Sequence, residues 1–232
     1  MSRVLPILFN TEMVRAILDG RKTVTRRCVK AKSKNACGFY VTFRKSDNAF
    51  MGVYDYDENE RSFDNPQTPP CHKGDILYVR ETWAFIPCIG CNGDYARGYQ
   101  PCYDFQAVEY DDGDSISDGC FLYKENCKTS KRITWRPSIH MPKEAARIWL
   151  KVTEVRVERL QSMVLDDFLA EGIVIRPEAF NDPENAYQQA KEKFMNIWDS
   201  TVKKSDREMY GWDMNPWVWT IKFERCEKPE NK

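Results

Sequence analysis

The chain has 232 residues, 42% of them apolar and 13% aromatic, which excludes a disordered or low-complexity segment and suits one domain carrying insertions. Basic and acidic residues balance at 35 each, so no whole-chain field draws in a polyanion, and nucleic-acid contact would need a local patch. No apolar stretch reaches the ~20 residues of a membrane span. The run Val4-Leu5-Pro6-Ile7-Leu8-Phe9 is too short for a secretory leader and lacks a cleavage site. A cytoplasmic location without membrane contact is expected, with the nine cysteines mostly reduced.

Residues 4–9 read as a buried strand. Asn10 or Thr11 caps a helix to Asp19, with Val14, Ile17 and Leu18 on one face. Gly20 follows where a left-handed cap is favoured. Residues 22–29 read as a strand. An insertion over 30–72 carries a hairpin of Phe39–Phe43 and Phe50–Tyr54. Gly74-Asp75 turns into Ile76–Trp83, read as a central strand. Residues 86–132, rich in Cys, Gly, Asp and Tyr, read as a second insertion.

Arg147 to Val157 is a long strand whose apolar parity slips, predicting a bulge near Thr153-Glu154. Ser162 is expected to cap a short helix with Val164, Leu165, Phe168 and Leu169 inward, stopped by Gly172. Asp182-Pro183 opens a longer helix with Tyr187, Ala190, Phe194, Ile197 and Trp198 on one face. The last strand places Trp217, Trp219, Ile221 and Phe223 on one side, and the tail 228–232 reads as loose. Several spaced strands with a few helices predict a single α+β domain over 1–232, built on a small β-barrel flanked by short helices.

Chemistry concentrates in Gly20-Arg21-Lys22-Thr23-Val24-Thr25-Arg26-Arg27. It lies in a basic stretch, where Arg15, Arg21, Lys22, Arg26, Arg27, Lys30, Lys32 and Lys34 face only Asp19. A lysine with a lowered pKa can deprotonate a threonine hydroxyl and make it a nucleophile. Strand alternation puts Thr25 and Arg27 on one face and Lys22 on the other, so Lys22 and Thr25 cooperate only if the chain is still turning after Gly20. A solvated basic strand edge is the competing reading. Glu171 ends the predicted short helix, where it faces the negative end of the helix dipole, a position that suits a general acid or a cation partner.

Arg136-Pro137-Ser138-Ile139-His140-Met141-Pro142 holds one of two histidines between prolines, and His140 is read either as a ligand contact or as a structural loop residue. Trp83 is either a platform for a stacked base or a core residue. Cys88-x-x-Cys91 resembles half of a zinc site, but the later cysteines are single, so no metal or other cofactor is expected by default.

Gly20-x-Lys22-x-x-Thr25-x-Arg27 after a strand and short helix resembles the signature of the ASCH domain. Gly74-Asp75-Ile76-Leu77, Leu160 leading into a helix that ends Ala170-Glu171-Gly172-Ile173, and the closing aromatic strand extend the resemblance over most of the chain. Glu81-Thr82-Trp83 and the His140 loop are similar to a longer, phage-associated branch. The resemblance implies a PUA-like barrel with an RNA, nucleotide or nucleoside ligand in a cleft beside it. One bacterial branch hydrolyses the acetyl amide of N(4)-acetylcytidine, and its triad falls on Lys22 as base, Thr25 as nucleophile and Glu171 as proton donor to the leaving amine. Arg26, Arg27, Trp83, Arg136 and His140 are then substrate-binding residues. That branch is much shorter and lacks the 86–132 insertion and the His140 loop. Other members of the family imply a non-catalytic RNA-binding module or a nuclease of single-stranded RNA.

Overall fold

The computed structural model describes residues 2–47, 49–61, 66–87, 108–111, 113, 116–127 and 133–230. The chain is mixed α+β. Its main sheet has five strands, β1 (Val4–Leu8), β2 (Val24–Cys28), β5 (Ile76–Arg80), β9 (Trp149–Arg159) and β10 (Trp217–Cys226), in the order β1-β5-β9-β10-β2. The β1–β5 pair is parallel and the others are antiparallel. The hairpin of β3 (Gly38–Phe43) and β4 (Phe50–Tyr56) stands apart. So does a small sheet in which β8 (Ile116–Tyr123) lies between β6 (Trp83–Pro87) and β7 (Val108–Asp111).

Among the described residues no sheet closes into the expected small barrel. The edges β1 and β2 do approach one another. The Arg27 side chain donates from Nη2 to the Leu8 carbonyl at 3.0 Å, so a side chain spans the seam where a closed barrel would have a backbone ladder. Pro6 in β1 has no N–H to give such a ladder. The strand expected to be buried is therefore an edge, with Pro6 and Leu8 exposed.

Helix α1 (Thr11–Leu18) crosses between these edges. The Asn10 side chain accepts the Met13 N–H at 2.8 Å as its N-cap. Val14 and Ile17 pack with Phe9, Val79, Leu150 and Ile221 on one face of the sheet. Helices α2 (Leu165–Ala170) and α3 (Pro183–Thr201) cover the other face, where Phe168, Phe194 and Trp198 meet Val218. The side of the last strand opposite Trp219, Ile221 and Phe223 is thus also buried, at Val218 and Thr220.

The predicted bulge is present. Lys222 pairs with Glu154 and Phe223 with Val152, leaving Thr153 as the extra residue. The expected 76–83 strand is in fact two. It breaks at Glu81-Thr82, and Trp83 opens β6 in the small sheet. The short helix is capped differently from expectation. Leu160–Ser162 is a 3₁₀ turn, Val164 takes the N-cap position, and its N–H is held by Asp167 Oδ2 at 3.1 Å. Val164 consequently faces solvent rather than the core. Cys88, Cys91, Cys102 and most of the 86–107 stretch lie outside the described residues. No helix among the described residues is long and apolar enough to cross a membrane.

Candidate functional site

The chain is still turning after Gly20. Gly20 takes φ +75, and the N–H groups of Arg21 and Lys22 both donate to the Ala16 carbonyl at 2.9 Å. Lys22 makes only an isolated bridge to Glu171, and the strand proper begins at Val24. The parity obstacle is thereby removed. Lys22 is free of the β2 alternation, and its side chain turns toward Phe9, with Nζ 5.7 Å from the ring centroid. Arg27 lies over the same ring at 5.3 Å.

Glu171 is delivered by the end of α2. Gly172, at φ +93, turns the chain so closely against α1 and Lys22 that a Cβ there would stand 2.8 Å from that of Ala16 and 3.2 Å from that of Lys22. Lys22 Nζ donates to Glu171 Oε2 at 2.5 Å and to the Glu171 carbonyl at 3.0 Å. Both side chains are buried. Arg26 holds the other carboxylate oxygen, donating from Nη1 to Glu171 Oε1 at 3.2 Å. It also reaches Asp167 Oδ1 at 2.9 Å and Glu158 Oε1 at 3.0 Å. Thr220 donates its hydroxyl to Glu158 Oε1 at 2.6 Å.

Thr25 is buried, and its Oγ1 accepts from Arg27 Nη1 at 3.0 Å. The hydrogen bonds of Lys22 go to Glu171 and not to Thr25, while Lys22 and Arg27 share the Phe9 ring. Burial pushes the Lys22 ammonium below its ordinary value of 10.5, and Arg27 and Arg26 act in the same direction while Glu171 opposes them. Burial also lowers the Arg27 guanidinium, against the field of Glu171.

A cleft of about 1070 Å³ follows the β1–β2 seam. Phe9, Thr25, Arg27, Glu171, Gln67 and Trp219 are among the residues lining it. A hydroxyl, a cation beside it, and a lysine–carboxylate pair with the lysine's proton weakened are the parts needed for acyl transfer to a threonine.

The structure brings together Lys22, Thr25, Arg26, Arg27 and Glu171. Arg26, expected to hold substrate, has a different task, because its guanidinium is enclosed among carboxylates. Trp83 is 1% exposed and packs edge-on to Tyr110 and Phe121. Arg136 stacks over its ring at 5.2 Å, which leaves that face no room for a base. His140 is exposed in a 3₁₀ turn, and from that loop Ser138 reaches the cleft wall.

The basic stretch is divided between interior and surface, with Lys30, Lys32 and Lys34 exposed. Lys22 and Arg26 are internal, Arg21 pairs with Asp19 at 2.8 Å, and Arg15 with Glu125 at 3.4 Å. Among the described residues no cluster of His, Cys, Asp or Glu is arranged to hold a metal. Phe9, Glu158, Asp167 and Gln67 escaped sequence reasoning. Asp167 stands one turn before Glu171 on the same helix, which is a readable signal, whereas Gln67 carries none. Comparison of the chain with protein-family models, curated proteins and solved structures gives no match.

Proposed function

We propose that the chain is an ASCH-like, PUA-related domain that hydrolyses the acetyl amide of an N(4)-acetylcytidine-like pyrimidine nucleoside in the seam cleft. The observation that carries this reading is the buried Lys22–Glu171 pair at 2.5 Å, joined through Phe9 and Arg27 to the Thr25 hydroxyl. The enclosure of Lys22 and Arg26 takes these two cations of the basic stretch out of reach of a polyanion, while Arg27, Lys30 and Lys32 line the cleft itself.

In this mechanism the proton shared by Lys22 Nζ and Glu171 Oε2 passes to Glu171, the neutral lysine swings from Glu171 to Thr25 and takes the hydroxyl proton, and Thr25 Oγ1 attacks the acetyl carbonyl. Arg27, whose Nη1 donates to Thr25 Oγ1, is the cation nearest the nucleophile and would serve the forming oxyanion. The tetrahedral intermediate expels the exocyclic amine, which receives its proton from Lys22 through Glu171. Water then hydrolyses the acetyl-threonine ester, releasing acetate and restoring the hydroxyl.

The test is cytidine release from N(4)-acetylcytidine, followed by the change in ultraviolet absorbance. Thr25→Val and Lys22→Met should each abolish turnover, and Thr25→Ser should retain it. Full activity in Thr25→Val would refute the nucleophile assignment. No turnover, together with RNA affinity that falls steeply with salt, would point to a binding module instead.

A further inference from the structure

One buried polar group in the cleft has no internal explanation. Gln67 is 5% exposed, and its Nε2 has no hydrogen-bond partner. A buried donor left unmade destabilises the fold, so its persistence calls for a reason. Other orphan donors and acceptors exist among the described residues, but apart from Gln67 only Arg80 also lines the cleft. The Arg80 guanidinium already donates through Nη1 to the Ile139 carbonyl and stacks over Tyr78.

Gln67 is also held in place. Its own N–H donates to the Val53 carbonyl at 2.6 Å, which makes it a third rung beside the β3–β4 hairpin. The preceding carbonyl, that of Pro66, accepts from Lys32 Nζ at 2.7 Å. Val53 packs with Trp219, and Trp219 is paired in register with Arg27 across β10 and β2. Gln67, Trp219, Arg27 and Thr25 all line the one cleft. Gln67 comes from the 30–72 insertion, not from the segments that carry the Lys22, Thr25 and Glu171 pattern.

We infer that Gln67 is the specificity-determining residue of the cleft, donating its amide N–H to a ring acceptor of a pyrimidine, the O2 or N3 of a cytosine. This rests on the nucleoside reading above. An unpartnered amide donor on a backbone held at Val53 matches a ring acceptor of cytosine and finds no ring acceptor on an acetyl amide whose ring carries no heteroatom. Sites built to hydrogen-bond a ligand reject analogues that lack the matching group, because the buried donor then stays unpaired.

The experiment uses the full chain and Gln67→Leu, with cytidine as the binding probe and N(4)-acetylcytidine and acetanilide as substrates. Gln67→Leu should weaken cytidine binding by about tenfold or more in calorimetry. It should raise KM for N(4)-acetylcytidine by a similar factor and change KM for acetanilide by far less. Its melting temperature without ligand should stay level or rise, since an apolar group replaces an orphan donor. A variant that melts lower and binds cytidine as well as the natural chain does would overturn the inference and assign Gln67 a structural role. Turnover of N(4)-acetylcytidine that is the same in both proteins would overturn it while leaving the hydrolase standing. Gln67-dependent cytidine binding without any turnover would uphold it and remove the hydrolase. If the natural chain binds no cytidine, both fall.

Discussion

Replacing Glu171 by leucine isolates the energetics of the buried pair. Lys22 has no side-chain exposure, and both of its hydrogen bonds end on Glu171, one on the carboxylate and one on the carbonyl. Glu171→Leu leaves an ammonium enclosed with one carbonyl, whereas Arg26 keeps Glu158 and Asp167. Breaking a buried pair from one side costs about 3–5 kcal/mol. For a domain of this size that is a drop of roughly 6–20 °C in melting temperature. The penalty has a pH signature. Lys22 is already below 10.5 in the fold, and losing Glu171 removes the largest influence holding it up. The unfolded chain then binds more protons than the folded one between the lowered folded value and 10.5, so stability rises with pH across that window. The double variant Lys22→Met/Glu171→Leu should recover most of the loss, because apolar side chains of similar volume replace a buried pair at little cost. Urea unfolding of the four proteins at pH 7 and pH 9.5 measures the cycle. A Glu171→Leu penalty under about 1 kcal/mol, with no dependence on pH, would refute the buried-pair account.

Arg26→Met leaves Glu158, Asp167 and Glu171 without the cation all three share, and should cost about 3–5 kcal/mol at pH 7 by denaturant titration. Gly172→Ala should cost about 2–4 kcal/mol, from its positive φ plus the contacts with Ala16 and Lys22. Gly20→Ala, with φ +75 but open space around it, should cost only about 1 kcal/mol in the same urea assay. Asp75 is held at about 2 chiefly by its hydrogen bond from the Arg3 guanidinium. Its stabilising share is complete above the ordinary 3.8 and is lost as pH falls toward 2, so Asp75→Asn should flatten the acid limb of the melting-temperature profile.

Local signals settled much of this protein. The Asn10 cap, the Gly20 turn, the parity slip at Thr153 and the amphipathic Pro183–Thr201 helix are short-range effects of backbone sterics and apolar spacing, so they were readable residue by residue. The pairing of Lys22 with Glu171 was available only through the resemblance, because 149 positions separate them and no periodicity connects them.

Burial was decided by the tertiary structure alone. Within the segment that read as a basic strand, Lys22 and Arg26 became part of an internal ion network because the α2 end delivers Asp167 and Glu171, and β9 delivers Glu158, onto them. Trp83 became a core residue because the strand expected to continue through it breaks at Glu81, whose carboxylate takes both nitrogens of an Arg147 fork at 2.9 Å. The sheet stayed open at the β1–β2 seam, and the cleft runs along it. Composition and spacing say which groups a chain possesses. Whether a charge meets water or a counter-charge depends on contacts between distant segments, and those exist only once the sheet has curled and the helices have covered it.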